Sequence, residues 1–419
     1  MLYGGSGVAE NGAAFPFVLP GELVEITSLN ELRILEPSPD RTAPGCIHFG
    51  VCGGCHYQHA AYPAQLRIKQ AILHDTLAAA GLSGLPAVEV YSAEPWHYRN
   101  RIRLRVGEVD GELRVGYNRY NATGGDPLLP VSMCPIASPL LWQAAATLLE
   151  LAKADSAVRT WLAAAIELEL FTNGDETALQ LTLFTRKPPA TSFPAVCDII
   201  KKAIPQFAGA GVALLPKQPS PQGRRFEHIR LGPEWGVPGL MYTVDGDKHW
   251  VSRGAFFQVN RHLVSTLSKL ATANRTGVLA WDLYAGVGLF SRALADSFQQ
   301  VVAVEAAEPA AASLAAALKG KAHRAIPATT LEFLQAAVVQ RERPGLIVMD
   351  PPRTGVGPEV CALLGRIRAP EIVYVSCDPV TLARDLRQLI DSGYKLSALH
   401  LVDMFPQTFH METVAVLHR

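Results

Sequence analysis

The sequence has no excess of either charge: 38 lysines and arginines meet 38 aspartates and glutamates. That argues against a global basic field of the kind that attracts nucleic acid, and leaves only a local basic face for such a role. No apolar run approaches the roughly 18 residues of a bilayer span, so no transmembrane helix is expected. Met1–Asn11 has neither a basic start nor an apolar stretch, and does not read as a signal peptide. The seven cysteines are odd in number. In a long chain without a secretory leader they point to a reducing cytoplasm, where clustered thiols mean metal or catalysis rather than disulfides. A complete Gly-x-Gly-x-x-Gly fingerprint is also missing, because Ser291 stands where a third glycine would follow Gly286 and Gly288.

What is present suggests two or three domains in 419 residues, with 49% hydrophobic residues for their cores. The first 35 residues are Gly-rich and then β-like, too short to close a barrel alone. A proline-bearing linker, Glu36–Pro44, leads to Cys46, Cys52 and Cys55 in a C-x5-C-x2-C spacing. Three thiolates this close repel one another without a cation, so a metal site is expected. Cys134, before Pro135, is the nearest fourth ligand. Spacing alone leaves iron–sulfur and zinc both open. His48, His56 and His59 read as loop histidines, and Cys197 and Cys361 as structural thiols. Helical periodicity covers Ala60–Ala80, with Gly81 as its C-cap. Arg99, Arg101, Arg103 and Arg105 then alternate with apolar residues, which puts four guanidinia on one strand face and suggests a phosphate-tracking surface. Asp110-Gly111 reads as a hairpin turn, Leu140–Ala165 as helical, and Asn173-Gly174 as the turn of a second hairpin. Loops are expected at Arg186–Phe193 and Pro216–Arg225, and Asn260 as the N-cap of the next helix.

From Val278 onward strands and helices alternate, the pattern of a parallel α/β sheet. Leu279–Leu283 is a strand that runs into Tyr284-Ala285-Gly286-Val287-Gly288, and Val301–Val304 is a strand ending on Glu305. A glycine turn with an acid at the end of the next strand suits a ribose. Without the third glycine the ligand is expected to lack a diphosphate, which favours S-adenosylmethionine over NAD. Leu346–Met349 ends on Asp350-Pro351-Pro352-Arg353, and a fourth strand, Glu371–Cys377, ends on the cysteine before Asp378-Pro379. A thiol at the carboxyl lip of a parallel strand, before a proline at the first position of a helix, is well placed as a nucleophile. The chain closes on Phe405-Pro406-Gln407-Thr408, expected as an exposed polar turn, and on a strand led by Glu412, a candidate general base.

Taken together these motifs closely resemble the RNA 5-methyluridine methyltransferase family, and most its iron–sulfur branch that acts on 23S ribosomal RNA. The resemblance runs from about Pro37 to the C-terminus. It rests on the four spaced cysteines, Phe257-Gln258-Val259-Asn260, Asp282–Gly288, Asp350-Pro351-Pro352-Arg353, Ser376-Cys377-Asp378-Pro379 and Phe405–Thr408 with His410-Met411-Glu412-Thr413. It implies an α/β protein in three parts. Residues 1–37 would be a truncated TRAM-like β segment and 38–245 an α+β iron–sulfur and RNA-binding domain. Residues 246–419 would be a Rossmann-like class I S-adenosylmethionine (SAM) methyltransferase domain. It further implies a [4Fe-4S] cluster on Cys46, Cys52, Cys55 and Cys134, Cys377 as nucleophile and Glu412 as base. SAM would be bound by Gln258, Tyr284, Glu305 and Asp350. Three departures stand out: the shortened N-terminus, the segment 116–131, and Leu289 in place of a polar residue. The implied substrate is a uridine of 23S rRNA, with transfer RNA as an alternative, and no membrane or obligate protein partner. Two rivals are a cytosine-5 methyltransferase, disfavoured because Ser376 rather than proline precedes the cysteine, and a non-catalytic iron–sulfur RNA-binding protein.

Overall fold

Parallel strands covered by helices on both faces read as continuous apolar runs, and the C-terminal runs behave accordingly. The computed structural model describes residues 1–26, 32–120, 128–216, 230–319 and 322–419. Eight strands form its main sheet: β1 (Val88–Tyr91), β2 (Gly277–Leu283), β3 (Phe298–Val304), β4 (Arg324–Ile326), β5 (Leu346–Met349), β6 (Glu371–Ser376), β7 (Lys395–Val402) and β8 (Glu412–His418). Their order across the sheet is β4-β3-β2-β5-β6-β8-β7-β1. β2 to β6 are parallel. β8 runs antiparallel between β6 and β7, and β1 lies parallel to β7 at the edge. After β2 the chain steps outward through β3 and β4, then returns to β5 on the other side of β2. That reversal makes the crevice at the carboxyl ends of β2 and β5 the place where such sheets hold ligands.

Seven helices belong with this sheet: α1 (Tyr62–Ala79), α2 (Val264–Thr272), α3 (Leu289–Leu294), α4 (Glu308–Leu318), α5 (Thr330–Gln340), α6 (Gly357–Ile367) and α7 (Pro379–Asp391). Ile68, Ile72, Leu73 and Leu77 of α1 share one core with Trp281, Ile347 and Tyr374 of the sheet and Leu386 and Leu389 of α7. At about 25 cal/mol per Å2 each fully buried leucine or isoleucine contributes roughly 1.5–3 kcal/mol, so α1 is anchored by its stripe rather than by its caps. Gly81 (φ +78°) ends α1 as expected: its N–H and that of Leu82 bond back to Ala78 and Leu77.

The chain divides into two units, Met1–Phe49 with Cys55–Pro95 and His262–Arg419, and Gly50–Gly54 with Trp96–Arg261. This differs from the three segments read in the sequence. Residues 55–95 join the C-terminal sheet because α1 and β1 bury their apolar faces there, and the later boundary falls at 261 instead of 245. At the N-terminus two short hairpins form, Ser6–Val8 with Ala14–Pro16 and Leu23–Ile26 with Leu32–Glu36. No closed barrel appears among the described residues.

The second unit is a seven-stranded sheet with helices Pro139–Ala154, Ser156–Ala164 and Phe193–Ala203 packed on it. Both expected hairpins are present. Arg101–Val109 turns through Asp110 (φ +53°) and Gly111 (φ +76°) into Glu112–Asn118, and Glu167–Thr172 pairs with Leu179–Thr185. The arginine stripe is not an open phosphate track. Arg103 sits 2.7 Å from Glu169 and over the ring of Phe184, Arg101 lies over Phe171 with Glu169 at 3.7 Å, and Arg105 reaches Asn118. The cross-strand carboxylate of Glu169 and two rings thus engage Arg101 and Arg103 on the sheet face. Asn260 is not the N-cap: the helix begins at Val264, and Asn260 is buried and bridged to Arg99. The expected loop Pro216–Arg225 lies outside the described residues beyond Pro216, as does the middle of the departing segment 116–131. No helix among the described residues is long and apolar enough to cross a membrane.

Candidate active site

The loop after β2 is built to leave room. Gly286 (φ +56°) and Gly288 (φ +92°) take left-handed conformations, and a side chain at Gly286 would point into open space. Glu305, at the end of β3, accepts hydrogen bonds from the N–H of Gly286 (2.8 Å) and of Ala307 (2.6 Å). Each carboxylate oxygen keeps a second lone-pair direction, enough to receive a pair of vicinal hydroxyls. Beneath the loop the buried Asp282 accepts from the Ser291 hydroxyl at 2.5 Å, and burial pushes its carboxyl up to about 7. Tyr284 adopts φ +62° and lines a cleft of about 430 Å3 with Thr329, Thr330, Val356 and Pro358. Asp350 follows β5, so Tyr284, Glu305 and Asp350 share the carboxyl edge of one sheet. Gln258 belongs to the second unit, where its backbone carbonyl accepts from Asn100.

Cys377 stands on the same edge, between β6 and α7. Asp378 caps α7, accepting from Val380 and Thr381, with Pro379 at the first helical position. Glu412 opens β8 and is buried, and one of its carboxylate oxygens has no hydrogen-bond partner. Burial first, then the carboxylates of Glu412 and Asp350, push the Cys377 thiol up to about 12, while Arg353 pulls it down. Burial and Asp350 likewise raise Glu412 well above the usual carboxylate range, against the pull of Arg353. Thiol, two acids and one cation therefore shift one another, and burial above all, with the acids adding to it, holds the nucleophile protonated.

The turn before β8 is buried, not exposed as the sequence suggested. Lys69 of α1, itself buried, meets Asp403 at 2.5 Å and the Phe405 carbonyl at 3.0 Å, and Tyr62 donates to the other oxygen of Asp403. Gln65 of α1 and Gln407 exchange bonds of 2.9 and 3.0 Å, and the Gln407 carbonyl accepts from His56 and Tyr57. α1 thus clamps the segment that aims Glu412. Sequence reasoning missed this, although a signal existed: Lys69 falls on the same helical stripe as Gln65, Ile72 and Leu73. It also missed Tyr3, whose hydroxyl reaches the Cys377 carbonyl at 3.5 Å, and His410, whose ring lies 3.3 Å from Arg353.

The four spaced cysteines form no disulfide; Cys46 and Cys55 belong to the first unit and Cys52 and Cys134 to the second. Within the second unit Gly53 bonds to Asn118 and Cys52 bridges to Arg119, and the Tyr117 hydroxyl lies 3.5 Å from the sulfur of Cys134. Both Cys134 and Cys52 act on that hydroxyl electrostatically. In the first unit the Cys46 N–H donates to Gln58. Among the described residues no three metal-ligating side chains gather at one point. Cys197 and Cys361 are buried in helices, as expected of structural thiols.

Residues 251–419 match the model of the family described as tRNA (Uracil-5-)-methyltransferase. The whole chain aligns with curated relatives. It is 31% identical to the 23S rRNA (uracil(1939)-C(5))-methyltransferase RlmD of Shewanella amazonensis, covering 98% of this chain and 92% of that protein. The chain belongs to the RNA uracil-C5 methyltransferase family. The enzyme is also 31% identical to an RNA methyltransferase of Halalkalibacterium halodurans, over 100% of this chain and 95% of the other. Its fold resembles that of the Pyrococcus abyssi tRNA (uracil-54, C5)-methyltransferase in complex with S-adenosyl-L-homocysteine, with a TM-score of 0.75, 22% identity, and coverage of 99% and 97%.

Proposed function

We propose that this methyltransferase moves a methyl group from SAM to C5 of a uridine in 23S rRNA, with Cys377 as nucleophile and Glu412 as base. The observation that carries the reading is the pairing of Ser376 with Thr413, which sets Cys377 at the carboxyl end of β6 beside the buried Glu412 at the amino end of β8, where one Glu412 oxygen has no hydrogen-bond partner. The open glycine loop and the outward lone pairs of Glu305 fit a nucleoside. Tyr284, Glu305, Asp350 and Gln258 are the residues proposed to hold SAM.

Uracil C5 is a weak nucleophile. The Cys377 thiolate adds to C6, and the ring becomes an enolate with carbanion character at C5. Bound SAM supplies an electrophilic methyl on a sulfonium. C5 takes that methyl as the methyl–sulfur bond breaks and leaves S-adenosylhomocysteine, Glu412 removes the C5 proton, and the electron pair left at C5 expels the thiolate from C6. Burial serves this order of events, because water that could quench the carbanion is excluded. The target base must leave its stack to reach Cys377. Phe256, exposed, is a candidate to stack on it.

Cys46, Cys52, Cys55 and Cys134 would hold a [4Fe-4S] cluster. Four cysteines outside any disulfide, two of which act on the Tyr117 hydroxyl, suit that donor set. No step of the reaction needs its redox chemistry, so its role would be to order the chain around residues 46–55. The N-terminal hairpins are read as a partial TRAM-like module. A transfer-RNA substrate is the second reading, favoured by the description of the matched family.

The test is nucleoside analysis after the anaerobically purified enzyme meets methyl-labelled SAM and unmodified RNA. Labelled 5-methyluridine in 23S rRNA is expected. The same product in transfer RNA alone would install the second reading, and 5-methylcytidine or no label would overturn both.

A further inference from the structure

Four arginines surround one notch on the side of the sheet away from the chemistry. Arg341 and Arg343 follow α5, and Arg366 and Arg368 close α6. With Val338 and Gly365 they line a cavity of about 380 Å3. All four are exposed, and none forms an ion pair among the described residues. The carboxylate nearest in sequence, Glu342, lies 3.6 Å from Arg324, and Arg343 donates only to the Glu342 carbonyl. Arg341 (φ +58°) and Arg368 (φ +60°) occupy the left-handed position at a helix end, where glycine is the unstrained residue. A helix C-terminus welcomes a cation, which accounts for one arginine on each helix. It does not account for four around one concavity in a chain of zero net charge.

Chain direction fixes where the notch lies. Gly345 and Pro370 directly precede β5 and β6, so the arginines border the amino edge of these strands, and Asp350 and Cys377 stand at the carboxyl edge. At about 3.3 Å per residue, the four residues of β5 and six of β6 separate the two edges by roughly 13–20 Å.

We propose that this arginine notch grips the sugar-phosphate backbone of the substrate RNA at a point remote from the target uridine. The inference rests on the functional reading above and deepens it. Planar guanidinia match phosphate oxygens in paired hydrogen bonds, and four of them crowded together are relieved by a polyanion. The distance means that a short oligonucleotide filling the active site does not reach the notch, whereas a folded ribosomal RNA fragment does. The enzyme would thereby prefer structured RNA over an isolated uridine-containing strand.

The experiment compares wild-type enzyme with the fourfold variant Arg341→Gln, Arg343→Gln, Arg366→Gln, Arg368→Gln, and with the fourfold Arg→Lys variant. Retention of 23S rRNA on filters is followed across a salt series. Each lost phosphate contact makes the dependence of log K on log salt shallower by about 0.7–0.9, so the glutamine variant should lose about 3 from its slope. Its affinity near 0.1 M salt should fall at least tenfold. The lysine variant should keep most of the slope, and methylation of a short oligonucleotide should be unchanged in all three proteins. A methylating wild type with the same slope as the glutamine variant overturns the notch alone. A wild type that neither binds nor methylates RNA overturns the functional reading.

Discussion

Replacing Glu412 with glutamine should lower the pKa of the Cys377 thiol. An ordinary cysteine titrates near about 8.5, and here burial together with the carboxylates of Glu412 and Asp350 holds the thiol up to about 12. Burial is the largest cause and survives the substitution, so the share of Glu412 is on the order of one pH unit. Below the pKa this multiplies the thiolate fraction by about ten. A less basic thiolate is also a poorer nucleophile, with a Brønsted slope of about 0.4–0.5, so the alkylation rate at a fixed pH rises only about threefold. The quantity to measure is therefore the pH profile of iodoacetamide alkylation, read by mass spectrometry on the peptide that carries Cys377. Asp350→Asn should move the profile the same way by less, and Arg353→Gln should move it up, because that guanidinium favours the thiolate. A profile that stays put or rises in Glu412→Gln would refute the argument, since the carboxylate would then not face the sulfur.

Three further outcomes follow from the same geometry. Lys69→Met should destabilise the fold by about 3–5 kcal/mol, because it removes the buried cation that faces the buried Asp403 carboxylate, and Lys69→Met with Asp403→Leu should recover much of that in denaturant titrations. Asp282 binds a proton in the folded chain up to about pH 7 and in the unfolded chain only to about pH 4, so folding stability should fall by about 1.4 kcal/mol per pH unit as pH rises between those values. Asp282→Asn should flatten that slope in melts compared across pH. Anaerobically purified enzyme should contain four iron and four acid-labile sulfide per chain, and Cys52→Ser or Cys134→Ser should lose them; iron-free wild type would remove the cluster from the account.

Much of this arrangement is legible in the sequence. Cys377, Asp350 and Glu305 each end an apolar run, and a parallel sheet has only one edge where such ends meet. Gly286 and Gly288 marked the loop, because a turn this tight against a ligand has few other solutions. Partners across the chain were not legible. The alternation of Arg101, Arg103 and Arg105 is genuine, but period two reveals only a shared face. It cannot reveal that Glu169 and two phenylalanines stand on the neighbouring strands. Val88–Tyr91 and Arg324–Ile326 are strands because long-range pairing makes them so, and each is too short to carry a period of its own. Phe405–Thr408 looked exposed because its residues are polar. Lys69 and Gln65, more than three hundred positions earlier, satisfy those groups and allow the turn to be buried.

The most direct test of the central claim uses RNA in which uridine is replaced by 5-fluorouridine. Fluorine cannot leave C5 as a proton, so an enzyme that adds a thiolate to C6 and methylates C5 is arrested as a covalent protein–RNA adduct. With SAM present, the account predicts a band on a denaturing gel whose mass combines the 45.2 kDa chain with the RNA. Digestion should leave the nucleotide on Cys377, and Cys377→Ala should give no such band. A wild-type enzyme that methylates ordinary RNA yet forms no adduct, or a Cys377→Ala variant that still does, would contradict the account.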